Sequence, residues 1–327
     1  MNTRRILITG GAGFIGYHLA AELAKDPVNE LVLVDNLSRG QIDDEFERLR
    51  EHPNVQFING DLTKPETFEI IGKGFHEVYH LAAIIGVEHV LKRPHEVLRV
   101  NAMSTLLLLD WFVKGGGSKI LFSSTSEAYA WTQQFYALPI PTAEDVPLAL
   151  TELANPRSSY AGSKIFGELA VTQFGVQYQK PFVIVRFHNV YGPRMGNNHV
   201  IPQLYDRARR GQNPLVVYSP THRRAFCYVS DAISAVIACM RDQKADGQTF
   251  NIGNNSEEVS IEEVATRILK KSNIQGSLEP KEAANDPIVR RSPDTKKLTA
   301  LLGHKPLVSL DRGLELTLAW YGREKLG

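Results

Sequence analysis

The feature that most constrains the fold of this sequence is a regular alternation of short apolar segments with helical segments, which continues to about Gly192. Most apolar segments are continuous runs, as expected for strands that are buried on both faces of a sheet. Because strands and helices alternate along the chain, we predict a parallel sheet with helices on both sides, the doubly wound α/β class. The predicted strands are 5–9, 31–35, 55–59, 77–81, 119–123 and 182–187, and the predicted helices are 13–25, 43–52, 94–114 and 158–179.

After Gly192 the elements become shorter and prolines become frequent. The segment 276–293 is polar and interrupted by prolines, so we expect a loop there. We therefore predict a larger domain at 1–190 and a smaller C-terminal α/β region at 191–327, with crossings of the chain between the two allowed. The predicted helices of the second region are 200–211, 230–241, 260–271 and 309–325.

The composition excludes several classes of protein. Lysine and arginine total 37 against 36 acidic residues, a net charge of +1, so nothing draws the whole molecule to nucleic acid or to an anionic membrane. No apolar run approaches ~18 residues, and the first residues lead directly into a strand, which leaves no room for a signal peptide. Only two cysteines occur, and the ten histidines are not spaced with carboxylates as metal ligands. We expect a cytoplasmic globular protein that binds no metal, nucleic acid or membrane.

A glycine-rich turn follows the first predicted strand directly. Gly10 permits a tight turn, Gly13 lets the backbone approach a pyrophosphate, and Gly16 allows the helix to pack closely on the strand. The helix that begins with Phe14 and Ile15 presents amide donors and a partial positive charge to phosphates. A position between a strand and a helix is the context that a Rossmann-type dinucleotide-binding motif requires.

Two aspartates follow the next two predicted strands. Asp35 ends the second strand, where its carboxylate can bind both hydroxyls of the adenosine ribose and repel a 2′-phosphate. We therefore expect NAD rather than NADP, a preference that Arg39 weakens if it faces the ribose. Asp61 follows the third strand and is placed to reach the adenine edge. The alternative interpretation is that both aspartates cap the segments that follow them.

A tyrosine and a lysine form the candidate catalytic pair. Tyr160 and Lys164 are four residues apart on a predicted helix and so share one face. An ammonium beside a phenol lowers the pKa of the phenol, and the phenolate can take a proton from a sugar hydroxyl as hydride leaves the same carbon. Such a pair also occurs by chance on solvated faces. Here it is supported by Thr125, which follows the fifth strand at the ligand-binding edge of the sheet and can bond the same hydroxyl.

Seven motifs together resemble those of the extended short-chain dehydrogenase/reductases that modify nucleotide sugars. The resemblance runs from Ile6 to about Gly303 and is more specific for the superfamily than for one reaction. The motifs are Thr-Gly-Gly-Ala-Gly-Phe-Ile-Gly (9–16), Asp-Asn-Leu (35–37), His-Leu-Ala-Ala (80–83), Ser-Ser-Thr-Ser-Glu-Ala-Tyr (123–129), Tyr-Ala-Gly-Ser-Lys (160–164), Arg-Phe-His-Asn-Val-Tyr-Gly-Pro-Arg (186–194) and Arg-Ala-Phe-Cys-Tyr-Val-Ser-Asp (224–231).

The resemblance implies a role for each matching residue. Tyr160 would be the catalytic base, Lys164 its partner on the nicotinamide ribose and Thr125 the third member of the set. For Asn101 a structural role that bends its helix is an equal alternative to a cofactor contact, and for Arg290, in the segment 286–294, the alternative is a solvated basic turn. The further implied NAD contacts are Asn36, Leu62, Leu81, Ala82, Ala83 and Asn101, and the implied substrate contacts are Ser126, Asn189, Arg194, Arg224 and Arg290.

The resemblance also implies a homodimer. Trp111 and Phe112 make the predicted helix 94–114 apolar around more of its girth than one sheet contact requires, for which burial in the core is the simpler explanation. In the family, this helix and the helix of Tyr160 commonly pack against a second subunit.

The reaction is less constrained than the family. The first step would be oxidation at C4 of a nucleotide-linked hexose or hexuronate, with UDP slightly favoured as the nucleotide. Thr125, Ser126 and Glu127 resemble the set in UDP-glucuronate decarboxylases, in which a 4-ketone makes the 5-carboxylate a β-keto acid. The 4,6-dehydratases carry an aspartate where Ser126 stands, and simple 4-epimerases lack a carboxylate at the position of Glu127.

Several outcomes therefore stay open at this stage. The segments 83–89 and 195–202, which would line the sugar pocket, look unlike their counterparts in decarboxylases. We place 4-epimerisation and decarboxylation close together, then 4,6-dehydration, then net 4-dehydrogenation. Glu127 can also serve only to orient the substrate. A dinucleotide-binding regulator that catalyses nothing would typically lack Tyr160 or Lys164, and both are present.

Overall fold

The structure of the protein is a computed structural model that describes residues 3–283 and 288–323. The start of the segment 286–294 and the end of the predicted helix 309–325 lie outside the described residues. The strands are β1 Arg4–Thr9, β2 Asn29–Asp35, β3 Val55–Asn59, β4 Phe75–His80, β5 Gly117–Thr125, β6 Phe182–Phe187, β7 Val190–Tyr191, β8 Leu215–Tyr218, β9 Arg223–Ala225, β10 Cys227–Tyr228, β11 Gln248–Ile252, β12 Glu258–Ser260, β13 Leu278–Lys281 and β14 Arg290–Arg291.

The helices flank and connect these strands. Helix α5 is followed by a wide turn at Phe112–Gly116 that ends the predicted helix 94–114 early. The helices are α1 Phe14–Leu23, α2 Asp44–Arg50, α3 Pro65–Ile71, α4 Val87–Lys92, α5 Pro94–Trp111, α6 Ala130–Phe135, α7 Arg157–Gln177, α8 Val200–Arg209, α9 Val229–Arg241, α10 Ile261–Lys271, α11 Lys296–Leu302 and α12 Leu310–Arg323.

A seven-stranded parallel sheet forms the centre of the fold, in the order β11-β6-β5-β4-β1-β2-β3. Its inner strands are buried on both faces; in β1, for example, Ile6, Leu7 and Ile8 are all inaccessible to solvent. The chain order reverses between β1 and β4, so the loops after these two strands diverge at the carboxyl edge of the sheet, where ligands of such sheets bind. The predicted doubly wound α/β fold and its six strands are confirmed.

The chain divides into two compact units. The first comprises residues 1–131, 147–186 and 235–250, and the second comprises 132–146, 187–234 and 251–327. The chain thus passes between the units several times, as the sequence analysis allowed. The assignment of cofactor binding to 1–190 and of substrate binding to 191–327 stays a prediction.

The polar segment 276–293 differs from the prediction of a loop. It contains β13, which pairs in parallel with β8, and β14, which pairs in parallel with β9. Both strands form by pairing with residues distant in the chain, which local composition does not reveal. Pro280 lies inside β13, and it is tolerated because β13 belongs to a two-stranded sheet and has one unpaired edge.

Within the described ranges 3–283 and 288–323, we find no helix with both the length and the apolar character needed to cross a membrane.

Candidate active site

The glycine-rich turn after β1 is shaped by contacts that exclude side chains. Gly10 has a positive φ of 73°, and a Cβ on it would lie 2.9 Å from the amide nitrogen of Ala82. A Cβ on Gly16 would lie 2.0 Å from the carbonyl oxygen of Gly10. No side chain of the described residues caps the start of α1, so its first amides face the turn unblocked. This cradle fits the diphosphate of a dinucleotide, which binds at such a helix start.

Asp35 ties the end of β2 to this turn. Its carboxylate accepts hydrogen bonds from the amides of Ala12, at 3.1 Å, and Leu37, at 2.8 Å. Burial raises the pKa of Asp35, and the amide bonds oppose that rise. Asp61 accepts bonds from the amide and the hydroxyl of Thr63, at 2.9 and 2.8 Å, which is the capping geometry expected as its alternative role. Contacts of Asp35, Asn36, Asp61 and Leu62 with the adenosine stay predictions.

A buried histidine joins the loop after β4 to the glycine-rich turn. His80 Nδ1 lies 2.9 Å from the Thr9 hydroxyl, and its Nε2 lies 3.1 Å from the Thr105 hydroxyl. Thr9 accepts the amide of Ala82, and Thr105 donates to the carbonyl of Asn101. These partners fix a neutral ring with the proton on Nε2. Accordingly, burial lowers the pKa of His80 to about 3, with a further contribution from the charge of Lys164.

The side-chain amide of Asn101 forms its hydrogen bonds with other groups of the protein. Its Oδ1 accepts the amide of Ile84 at 2.7 Å, and its Nδ2 donates to the Ile84 carbonyl at 3.1 Å and the Ser163 hydroxyl at 3.0 Å. These bonds hold the loop that contains Leu81, Ala82 and Ala83 against α5 and α7. This is a structural role, and both a cofactor contact of Asn101 and a bend of its helix stay predictions.

The catalytic candidates meet where β5 ends beside α7. The hydroxyl of Thr125 is hydrogen-bonded to that of Tyr160, so both lie together, and their contact with one substrate hydroxyl stays a prediction. Burial raises the pKa of Tyr160 to about 12; the Thr125 bond and the charge of Arg39 oppose the rise, and the charge of Glu127 adds to it. The predicted lowering of this pKa by Lys164 is therefore wrong for the geometry observed.

The ammonium of Lys164 is bound to β5. It donates to the carbonyl of Ser123 at 2.7 Å and lies 5.0 Å from the ring centre of Phe122. Only 4% of the residue is exposed, and this burial lowers its pKa to about 7, although the nearby charge of Glu168 opposes the shift. Lys164 thus lies on the predicted helix face with its charge directed to the strand end.

Glu127 lies beside Thr125 and Tyr160 at the carboxyl end of β5. Its amide donates to the Thr125 hydroxyl at 3.2 Å, and its carboxylate lies 3.9 Å from a guanidinium nitrogen of Arg157, the first residue of α7. A quarter of the Glu127 side chain is exposed, so a ligand can reach it. Ser126, by contrast, is buried, with 4% of the residue exposed.

A buried ion pair behind the site was missed by sequence reasoning. Arg186, at the end of β6, makes two hydrogen bonds to Glu168 of α7, at 2.9 and 2.6 Å, and a third to the Tyr129 hydroxyl at 2.8 Å. The Ser124 hydroxyl also donates to Glu168. Glu168 stands one helical turn beyond Lys164, so the spacing of Tyr160, Lys164 and Glu168 on one face was the available signal.

The predicted substrate contacts other than Ser126 belong to the second unit. Asn189 has a φ of 41° and donates from its side chain to the Ala225 carbonyl at 3.1 Å, and Arg194 has a φ of 64°. Arg224 is 9% exposed and donates to the carbonyls of Arg223 and Val289. Asn189 therefore contacts β9, the strand that contains Arg224, and the phosphate role of both residues stays a prediction.

The structure does not bring Arg290 together with Arg224. The register of β14 against β9 pairs Arg290 with Arg223 and Arg291 with Arg224. Because side chains alternate between the faces of a strand, Arg291 shares the face of Arg224. On the opposite face, Arg290 makes two bonds to Glu258, at 2.7 and 2.8 Å, and half of its side chain is exposed. The sequence reasoning missed Arg291 because the face depends on a non-local register.

Across the part of the chain that the structure describes, no cluster of three or more histidine, cysteine, aspartate or glutamate side chains could hold a metal ion.

Comparison with known proteins places the chain in a family. The NAD dependent epimerase/dehydratase family matches residues 6–253. The chain is 35% identical over 328 residues to UDP-N-acetyl-alpha-D-glucosaminuronate decarboxylase of Bacillus cytotoxicus, covering 97% of this chain and 98% of that protein. It is 33% identical over 319 residues to UDP-glucuronic acid decarboxylase 5 of Arabidopsis thaliana, covering 95% of this chain and 87% of that one.

A solved structure is similar over almost the whole length. The UDP-glucuronic acid 4-epimerase of Bacillus cereus, crystallised in complex with UDP-glucuronic acid and NAD, superposes with a TM-score of 0.84 at 26% identity. The match covers 98% of this chain and 99% of that chain.

Proposed function

This chain belongs to the NAD-dependent epimerase/dehydratase family, and we propose that it is a decarboxylase of a UDP-hexuronate that acts through a 4-keto intermediate. Its relatives are enzymes that modify nucleotide sugars with NAD. That the reaction of this chain is a decarboxylation is our proposal. The observation that carries it is the position of Glu127, with Arg157 at 3.9 Å, beside the hydrogen-bonded pair of Thr125 and Tyr160. Relatives named as decarboxylases, at 33–35% identity, support it.

The chemistry follows from the groups at the end of β5. Tyr160 takes the proton of the C4 hydroxyl, and Thr125 holds that oxygen in place. NAD, when bound, would supply the hydride acceptor for C4 and return the hydride at the end of the reaction. With a ketone at C4, the bond from C5 to the carboxylate breaks, its electron pair enters an enolate, and carbon dioxide leaves. A proton from water then reaches C5, and Tyr160 returns its proton to the C4 oxygen.

Arg157 and Glu127 place a positive and a negative charge near the sugar carboxylate that is lost in this decarboxylation. A guanidinium beside the site can bind a sugar carboxylate, because charge-assisted bonds to carboxylates are strong. The carboxylate of Glu127 then disfavours the anion next to it, and release of neutral carbon dioxide relieves that repulsion. A neutral hexose would gain nothing from this pair.

The deciding experiment is incubation with UDP-glucuronate, its 2-acetamido analogue and UDP-, GDP-, CDP- and dTDP-hexoses, followed by mass measurement. We expect a hexuronate to lose the mass of carbon dioxide. Loss of water would instead indicate a dehydratase, and loss of two hydrogens a dehydrogenase. An unchanged mass with every sugar, without a change of configuration, would contradict an enzymatic role on these substrates.

A Glu127→Gln variant tests whether this carboxylate takes part after C4 oxidation. The replacement keeps size and hydrogen bonding but removes the charge, so we expect NADH to appear while the product forms slowly. A loss confined to KM would mean that Glu127 only orients the substrate, since uniform binding acts equally on ground and transition states.

The second candidate is 4-epimerisation of a UDP-hexuronate. It is favoured by the similarity to the UDP-glucuronic acid 4-epimerase structure over 98% of this chain. An epimerase must release, rotate and re-reduce the 4-ketone while it retains the carboxylate. An unchanged mass with an inverted C4 configuration would select this candidate.

We propose that Arg224 and Arg291 bind the diphosphate of the substrate, together with Asn189. The register of β14 on β9 supports Arg291 over Arg290 in this role. An Arg291→Gln variant should raise KM at least tenfold, because a charged hydrogen bond contributes roughly 1.5–3 kcal/mol. Arg290→Gln is the matched control and should leave KM nearly unchanged; the reverse result would restore Arg290 to the phosphate role.

We also propose a homodimer. Trp111 and Phe112 are buried within the subunit and therefore do not support it, whereas α5 and α7 pack together and expose apolar side chains that a second copy would cover: Leu98, Met103, Leu106, Phe166, Leu169 and Val176. Sedimentation should show twice the mass of 36.5 kDa. Leu169→Glu should give monomers, whereas Val289→Glu, a control at an exposed apolar residue of the second unit, should not.

A further inference from the structure

The strand order places two loops on either side of the glycine-rich turn. In the sheet, β1 lies between β4 and β2, so the turn at Gly10–Gly13 emerges between the loop after β2 and the loop after β4. Arg39 belongs to the loop after β2, and Ile85 belongs to the loop after β4. Any contact between these loops therefore crosses the carboxyl end of β1, above the place where a dinucleotide diphosphate binds.

Arg39 makes such a contact. Its Nη1 donates to the carbonyl of Ile85 at 2.9 Å. The guanidinium lies flat against the next residue, since a Cβ built on Gly86 would be 3.8 Å from Cζ and from both terminal nitrogens. Gly86 has a φ of 103°, a backbone conformation that favours glycine. The charge of Arg39 also reaches the hydroxyl of Tyr160.

We propose that Arg39 is a strap across the cofactor groove whose guanidinium binds the diphosphate of bound NAD and slows its release. A guanidinium has five N–H donors, and the bond to Ile85 uses one of them. The remaining donors can form the paired bonds to phosphate oxygens for which arginine is suited. The strap thus adds a cation above the amides that α1 presents from below.

The direction of Arg39 separates this role from recognition of a 2′-phosphate. Asp35 marks the adenosine end of the groove, at the tip of β2. The guanidinium instead extends to Ile85 and toward Tyr160, the residue proposed to act at the nicotinamide end. Arg39 therefore does not weaken the expected preference for NAD over NADP.

Retention of NAD suits a reaction in which the hydride returns to the sugar. The enzyme then needs no cofactor exchange between turnovers, and loss of NADH in mid-reaction would leave the 4-keto sugar without the hydride that reduces it. This benefit rests on the proposed function, whereas the strap can be tested without any sugar.

The test compares cofactor release from the wild type, Arg39→Ala and Arg39→Gln. Each protein is loaded with NADH, chased with excess NAD and followed by fluorescence, and ADP-ribose and adenosine are titrated calorimetrically. For both variants we expect release ~10–100-fold faster, from the loss of a charged hydrogen bond. ADP-ribose should weaken similarly and adenosine should not, because only ADP-ribose carries the diphosphate. Arg48→Ala, which removes the same charge from an exposed position on α2, should match the wild type.

Unchanged release of NADH and unchanged ADP-ribose affinity in both Arg39 variants would overturn the proposal. Weaker NADP binding alone, with NAD unaffected, would also overturn it and assign Arg39 to a 2′-phosphate. Because these readouts need no turnover, the strap can fail while the decarboxylase proposal stands, and the reverse also holds.

Discussion

At the scale of single residues, the burial of Tyr160 opposes the ionised form that proton abstraction requires. Its pKa of about 12 lies above the ordinary value of a phenol, and that of Lys164, about 7, lies below the ordinary value of an amine. Both shifts come first from burial, which penalises charge on either group. Converting the pair to phenolate and ammonium therefore depends on charges placed around it, among which the charge of Arg39 already acts to lower the pKa of Tyr160.

Replacing Tyr160 with phenylalanine removes the proton acceptor and leaves the ring in place. We expect turnover to fall by roughly 10²–10⁴, the usual scale of general acid–base catalysis, with NAD affinity nearly unchanged. Initial rates on the accepted sugar and calorimetric titration with NAD measure the two effects. Full activity in this variant would mean that another group is the base.

Residue spacing predicted some of the site and not the rest. The Thr125–Tyr160 contact could be expected because a strand end and a helix face are both local features. The bonds of Lys164 to Ser123 and the face occupied by Arg291 could not, since they depend on depth of burial and on non-local register. The sequence singled out Arg39, but only the structure shows that its side chain extends to the loop after β4, where it bonds the carbonyl of Ile85.

At the scale of elements, the pair of Glu168 and Arg186 fixes α7 against β6 and the end of β5. Glu168→Ala leaves the Arg186 charge buried without its carboxylate, and we expect a loss of about 3–5 kcal/mol in the free energy of unfolding. Urea titration measures it. The double replacement of both residues by methionine should cost less than the single change, because no charge then stays buried. If the single variant is as stable as the wild type, the pair does not anchor α7.

His80 connects β4 to β1 and α5 through hydrogen bonds of its neutral ring. Because the ring is neutral, the stability of the protein depends on pH in the acid range. The unfolded chain protonates His80 near its ordinary pKa of 6.5, whereas the folded protein does so only at about pH 3. Between these values the unfolded state binds more protons, so the free energy of unfolding falls as the pH is lowered. In urea titrations at several pH values, the His80→Gln variant should show a slope shallower by up to one proton than the wild type. Equal slopes would contradict a neutral buried ring.

Strands of the central sheet were predicted well, and short strands with distant partners were predicted poorly. The strand prediction 182–187 coincides with β6, because continuous apolar runs are typical of inner strands. The prediction 55–59 coincides with β3, an edge strand in which apolar and polar residues are mixed. The short strands β13 and β14 were interpreted as loop. Apart from Leu278, their residues are polar or proline, and pairing with β8 and β9 makes them strands.

At the scale of the whole molecule, one edge strand of the seven-stranded sheet, β11, comes from a part of the chain far beyond the other six strands. A fragment that ends at Ser234 keeps β1 to β6 but loses β11, most of which lies in the first unit's segment 235–250. We expect this fragment to aggregate, because β6 would then present an unpaired edge. Size-exclusion chromatography compares it with the full chain. A monodisperse fragment that binds NAD would show that cofactor binding needs no residue beyond 234.

Each unit consists of three segments of the chain, and this affects how recombination can change such a protein during evolution. A single genetic crossover near residue 190 would not transfer the second unit alone, because the downstream piece also carries residues 235–250, with most of β11. A crossover of this kind would bring a foreign edge strand into the sheet. Substitutions in place, as at the face that Arg224 shares with Arg291, change the second unit while the sheet is inherited as a whole.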